Sequence, residues 1–123
     1  MTVEIVSYRM RGIGGDMSDD ETGWVKAANR SQLGVGDVLG VVIAGRDVAL
    51  YELDGTLYAT DDICTHAYAK LSDGWLNGRE IECPLHAGRF DVKTGKATSP
   101  PCTVPIKTYP VRLAGEEIQV KLG

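Results

Sequence analysis

An all-β fold of small antiparallel sheets is the class that this 123-residue sequence predicts. Three observations carry that prediction. Turn dipeptides recur between short apolar runs, the last run alternates strictly, and only the segment 67–72 (AYAKLS) has room for a helical turn. Glycine is abundant at 15 residues while aromatics make up 7%, as suits a chain of tight turns.

From residue 24 the elements follow in order. DVLGVVI (37–43) and DVALYEL (47–53) flank Ala44-Gly45-Arg46 and predict a first hairpin. Asp54-Gly55 then turns the chain into TLYAT, a second hairpin with a favoured turn pair. Asn77-Gly78 gives a third, between Trp75-Leu76 and Arg79-Glu80-Ile81. TYPVRL (108–113) and EEIQVKL (116–122), joined at Ala114-Gly115, predict a last one. There Ile118, Val120 and Leu122 alternate with Glu117, Gln119 and Lys121, as a half-buried strand requires. Gly34-Val35-Gly36 and Gly12-Ile13-Gly14-Gly15 lack the strand–glycine–helix setting of a nucleotide site, so both read as turns or flexible chain. Trp24 and Trp75 are expected in the core. No internal repeat or linker interrupts 24–123, so the expected organisation is one domain over 23–123 behind a flexible or peripheral extension, 1–22.

Composition narrows the function. The hydrophobic fraction is 43% and the charged fraction 24%, ordinary values for a globular chain. No run approaches the roughly 20 apolar residues of a membrane span, and the first residues lack the apolar centre of a secretory signal. A cytoplasmic location is the resulting expectation. The net charge of −4 is concentrated at the front, where Glu4, Asp16, Asp19, Asp20 and Glu21 outnumber Arg9 and Arg11. Between Cys64 and Lys96 bases and acids nearly cancel, so neither a nucleic-acid surface nor a membrane-binding stripe is expected. Three cysteines make an odd count, which favours metal binding over a disulfide framework.

Metal-binding chemistry is confined to two short segments, Cys64-x-His66 and Cys83-x-x-His86. They contain both histidines of the chain and two of its cysteines, each segment supplying one of each. Cys₂His₂ sets bind structural zinc, although zinc fingers usually pair like with like along the chain. A [2Fe–2S] cluster has two irons, and mixed pairs can place both thiolates on one iron and both imidazoles on the other. Spacing alone leaves both groups open. Cys102 lies beyond the four-residue set and reads as a packed cysteine.

The surrounding residues carry a resemblance. Cys64-Thr65-His66 with Cys83-Pro84-Leu85-His86-Ala87-Gly88-Arg89-Phe90-Asp91 resembles the Rieske motif, and Ser72-Asp73-Gly74 and Pro100-Pro101 match its cluster-loop turn and proline-rich covering loop. Over roughly 24–122 the chain is similar to the small Rieske-type ferredoxins of bacterial aromatic ring-hydroxylating dioxygenases, notably the naphthalene dioxygenase type. The resemblance implies a Rieske iron–sulfur domain with a cluster-binding subdomain of two loops. It implies one [2Fe–2S] cluster held by Cys64, His66, Cys83 and His86, with the histidines toward the surface. Two neutral imidazoles in place of thiolates make the cluster easier to reduce, within a range of roughly −150 to +300 mV.

The resemblance also implies a role. The chain is expected to be a one-electron carrier, not an enzyme, moving electrons from an NAD(P)H-dependent flavoprotein reductase to a terminal Rieske non-haem iron oxygenase. Both contacts are expected to be transient, with Tyr68 and Leu85 as apolar docking groups and Lys70 and Arg89 as charged ones. A Rieske subunit serving a monooxygenase or a nitrite reductase is the alternative within electron transfer, and a zinc-stabilised interaction module the alternative outside it. A catalytic iron of its own would need further histidines, and both are already assigned. High-potential relatives carry cysteines and hydroxyls where this chain has Ala69 or a neighbour in the first loop, then Leu85, Gly88 and Phe90. A hydroxyl placed at 88 or 90 is therefore expected to raise the potential. Redox titration followed by EPR should find the midpoint near the low limit of about −150 mV; a value above about +100 mV would contradict this account of the surroundings.

Overall fold

The computed structural model describes residues 23–122. The expected extension and the Gly12-Ile13-Gly14-Gly15 run lie outside the described residues. Within them the chain forms the strands β1 (Trp24–Asn29), β2 (Val38–Ile43), β3 (Arg46–Leu53), β4 (Thr56–Asp61), β5 (Trp75–Asn77), β6 (Glu80–Glu82), β7 (Arg89–Asp91), β8 (Ala97–Ser99), β9 (Thr108–Tyr109), β10 (Val111–Ala114) and β11 (Glu117–Lys121). They make three antiparallel sheets, ordered β2-β3-β4-β9, β1-β11-β10 and β5-β6-β7-β8. The all-β expectation holds. No helix among the described residues is long and apolar enough to cross a membrane.

The hairpins form where the turn residues indicate, with instructive shifts. Ala44-Gly45 (φ +51° and +79°) and Asp54-Gly55 (φ +51° and +87°) are two-residue loops with both residues left-handed, the geometry that matches strand twist. Arg46 is therefore already in β3, paired with Ile43. At the other two hairpins Asn77 pairs with Glu80 and Ala114 with Glu117. Their loops are thus Gly78-Arg79 and Gly115-Glu116, one residue later than the dipeptides suggest. Glycine then occupies the first loop position, where a type II′ turn demands a positive φ.

TYPVRL is two strands. Pro110 has no N–H to continue a ladder, so the chain changes sheets there: β9 pairs with β4, and β10 with β11. The expected helical turn at 67–72 is reduced to a 3-10 turn at Leu71–Asp73. Upstream of it the Ala69 carbonyl accepts from Cys64 and the Ala69 N–H donates to Ala67, which commits that backbone to the loop.

Strand β3 divides the interior. Its burial is continuous from Val48 to Glu52, and alternate residues serve different cores. Val48 and Leu50 pack with Ala28, Leu57, Leu113, Ile118 and Val120. Ala49 and Tyr51 face the other way, toward Cys64, Leu71, Ile81, Cys83, Phe90 and Cys102. Tyr51 and Thr60, both fully buried, share a hydrogen bond of 2.9 Å on this second side. Trp24 is half-buried, with the Arg112 guanidinium 4.3 Å above its ring. Trp75 departs from expectation: it is 59% exposed. It lies on the edge strand β5, where Leu76 takes the inward position and leaves its neighbour pointing out. Leu50→Ala should lower stability by about 2–5 kcal/mol, measured by denaturant titration; a loss below about 1 kcal/mol would mean that the first core does not depend on β3 as described.

Candidate metal centre

Each cysteine-histidine segment is a loop closed by its own cysteine. In the first, Cys64 donates its N–H to the Ala69 carbonyl at 2.9 Å; in the second, Cys83 donates to Gly88 at 2.7 Å. The second loop reverses within six residues because His86 and Ala87 are both left-handed, at φ +72° and +61°. The first loop is clasped at its base. The Asp62 carboxylate, 1% exposed, accepts the Ser72 N–H and the Ser72 hydroxyl, each at 2.7 Å. The Asp62 carbonyl accepts the Leu71 N–H at 2.7 Å. Gly74, just beyond this clasp, lies so near the Glu82 carbonyl that a Cβ there would stand 1.9 Å from the oxygen. The exit of one loop is thereby pressed against the entry of the other.

This closure brings candidate ligand atoms together. The Cys64 and Cys83 sulfurs and a His66 ring nitrogen lie within 4.8 Å of one another. His66 Nδ1 is 2.8 Å from the Cys64 sulfur. His86 stands beside this group on the exposed side, its ring centroid 5.6 Å from that of His66 and tilted by 50°. Both cysteines are buried. Burial pushes the Cys83 thiol above its ordinary range, a backbone hydrogen bond from Leu85 opposes the shift, and the Cys64 thiol adds to it.

The donor set fits a thiolate–imidazole metal group and holds none of the carboxylates that calcium or magnesium would take. Zinc and an iron–sulfur cluster both take such donors, and His86, beside the group of three, is a fourth.

A third loop covers the site. Thr65 donates its hydroxyl to the Val104 carbonyl at 2.8 Å. Cys102, 3% exposed, brings its sulfur to 3.7 Å from that of Cys64 and 3.4 Å from His66 Nδ1. Burial first, then its contact with Cys64, push the Cys102 thiol up to about 12. It is packed, as expected, but against the candidate ligands Cys64 and His66. Nothing in the sequence signals this beyond the prolines before it. Gly88 is shaped to Cys102: a Cβ there would stand 2.2 Å from its sulfur and 3.1 Å from its backbone nitrogen. The expected gain from a hydroxyl at 88 is therefore corrected, because that side chain has no room.

Each of the three loops of the site exposes an apolar side chain. Tyr68, Leu85 and Val104 are 85%, 41% and 58% exposed. The charges expected to assist docking are already paired. Arg89 lies 3.3 Å from Glu82 and 3.7 Å from Glu80, and Lys70 lies 3.9 Å from Asp47.

Comparison with known proteins agrees with this geometry. The sequence pattern of the Rieske [2Fe-2S] domain matches residues 23–110. The ferredoxin component of the naphthalene 1,2-dioxygenase system of Pseudomonas aeruginosa is 54% identical over 100 residues, covering 81% of this chain and 96% of that protein. Among solved structures, the ferredoxin of carbazole 1,9a-dioxygenase from Nocardioides aromaticivorans IC177 is similar at a TM-score of 0.77 and 39% identity, covering 80% of this chain and 97% of its own. A ferredoxin chain in a complex of reduced oxygenase and oxidized ferredoxin in carbazole 1,9a-dioxygenase is similar at 0.76 and 40%, covering 80% and 93%.

Asp62→Ala leaves the Ser72 N–H and hydroxyl without their acceptor in the interior, at a cost of about 1–3 kcal/mol. The variant should melt earlier and release iron faster to a chelator, followed by visible absorbance. Wild-type melting and release would show that the clasp does not hold the loop. Gly88→Ser should lose stability and fail to raise the midpoint.

Proposed function

The chain belongs to the Rieske [2Fe–2S] domain family, and on that premise we propose that it is a ferredoxin, carrying single electrons from an NAD(P)H-dependent flavoprotein reductase to a terminal oxygenase that acts on aromatic compounds. The observation that carries this reading is the juxtaposition of a buried thiol pair with an exposed histidine one ring away from a half-buried one. Residues 23–123 form the carrier in this reading, residues 1–22 are an extension outside it, and the cytoplasm is its place of work.

Cys64, His66, Cys83 and His86 would hold the cluster. When bound, the cluster supplies a one-electron store with no bond made or broken in the protein. Cys64 and Cys83 anchor it from the interior, where Leu71, Ile81 and Phe90 exclude water. His66 and His86 stand between that interior and the partner, and His86, exposed on its left-handed turn, offers the shortest approach. Tyr68, Leu85 and Val104 form a rim that can be dried by a matching apolar surface. Because Lys70 and Arg89 are neutralised within the chain, long-range steering is modest and recognition rests on shape. Such encounters bury little surface, below about 1,200 Å² in total, which permits quick exchange between reductase and oxygenase. The complex of reduced oxygenase and oxidized ferredoxin in carbazole 1,9a-dioxygenase supports an oxygenase as partner.

Anaerobically purified protein should contain two irons and two acid-labile sulfides per chain, as a [2Fe–2S] group requires, and no stoichiometric zinc. Full zinc occupancy without sulfide in fresh protein would overturn the reading. With NAD(P)H, reductase, oxygenase and this chain together, product should form only when all are present. Leu85→Asp should slow electron delivery while the visible spectrum stays unchanged. Product formed equally well without this chain would also overturn it.

A further inference from the structure

We propose that the Cys102 thiol donates a hydrogen bond to the Cys64 sulfur and so holds the cluster's potential above the level that the two ligand loops would set alone. The inference rests on the reading that Cys64, His66, Cys83 and His86 hold the cluster.

The ligand loops offer no side-chain donor at 69, 85, 88 or 90, where the residues are alanine, leucine, glycine and phenylalanine. A donor side chain must come from elsewhere, and the covering loop delivers one. The Cys102 sulfur is buried at 3.7 Å from that of Cys64, within reach of an S–H···S bond. Its other neighbour is His66 Nδ1 at 3.4 Å. An imidazole nitrogen has one lone pair and loses it on binding a metal. A thiolate sulfur keeps lone pairs after ligation, so Cys64 remains an acceptor when His66 does not.

The second loop independently marks this thiol as built in. Gly88 leaves the space that the Cys102 sulfur occupies, and any side chain there would collide with it. Cys102 is further fixed by its N–H, which donates to the Ser99 carbonyl at 3.1 Å.

The energetic sign follows from charge. A thiol is a weak donor, but a bond to a charged acceptor is stronger than a neutral one. Reduction adds one electron to the cluster and increases the negative charge on its sulfur ligands. The S–H bond therefore strengthens in the reduced state and favours it. No proton moves, because Cys102 keeps its hydrogen in both states. Cys102 is a positioning residue that acts through Cys64.

The test compares cluster-loaded wild type with Cys102→Val, which matches the volume without a donor, and Cys102→Ser, which keeps one. Poised at the wild-type midpoint and read by EPR, Cys102→Val should show a ratio of reduced to oxidised cluster lower by up to about tenfold, or ~59 mV for a one-electron couple. Cys102→Ser should restore the wild-type ratio or exceed it. Coincident midpoints in all three proteins, or a higher one in Cys102→Val, would overturn the proposal.

Should Cys102→Val not load, the wild type decides alone. With Cys64 and Cys83 bound to iron, Cys102 carries the remaining thiol of three cysteines. Its S–H stretch should appear in the Raman spectrum below the free-thiol position. A band at the free-thiol position, or no S–H band, would overturn the bond. Iron and sulfide analysis keeps the two readings apart: full content with an unmoved midpoint rejects only the Cys102 bond, whereas wild-type protein without iron rejects the ligand assignment beneath it.

Discussion

A carboxylate buried at the root of the first ligand loop constrains much of what surrounds it. An ionised group taken out of water is costly unless hydrogen bonds replace its hydration. Asp62 meets that demand with both polar hydrogens of Ser72. To deliver Ser72 the loop must fold back within ten residues, which carries Leu71 into the second core and forms the turn at Leu71–Asp73. That turn sets Gly74 against Glu82, the last residue before Cys83. The position of the second loop thus follows from the closure of the first, and the meeting of the two thiols follows from both.

Local chemistry made the hairpins and the candidate ligand segments legible. A positive φ at two successive positions restricts residue choice strongly, so Asp54-Gly55 can be recognised in isolation. Cysteine and histidine stand out because this chain uses few of either. The shifted loops at Gly78 and Gly115 show the limit, since register depends on cross-strand pairing that no dipeptide encodes. β7 and β8 escape notice for a related reason: three residues are too few to display a period. The exposure of Trp75 depends on β5 being an edge strand, a property of the whole sheet. Cys102 is the extreme case. Its meeting with Cys64 spans 38 positions and leaves no local trace.

The division of the interior by β3 bears on the site's rigidity. Because Ala49 and Tyr51 line the same core as Cys64 and Cys83, the floor of the candidate metal site is a strand whose other face is packed by Val48 and Leu50. The strand is held on both faces and paired along both edges with β2 and β4. The two cysteine-histidine loops thus stand on a strand held on every side, and the freedom that loops usually have is confined to their outer side, where His86 and Leu85 face solvent.

The register of β1 on β11 has a practical consequence. Trp24 pairs with Lys121, so the described chain enters and leaves the fold at neighbouring points. Those strands build the sheet against the first core, whereas Cys64 and Cys83 occupy the second, across β3. A label, a tether to a surface or a genetically joined reductase can thus be attached at either point while the histidine face stays open. An electrode-bound form of this protein is best anchored there, with the redox centre presented outward to whatever diffuses past.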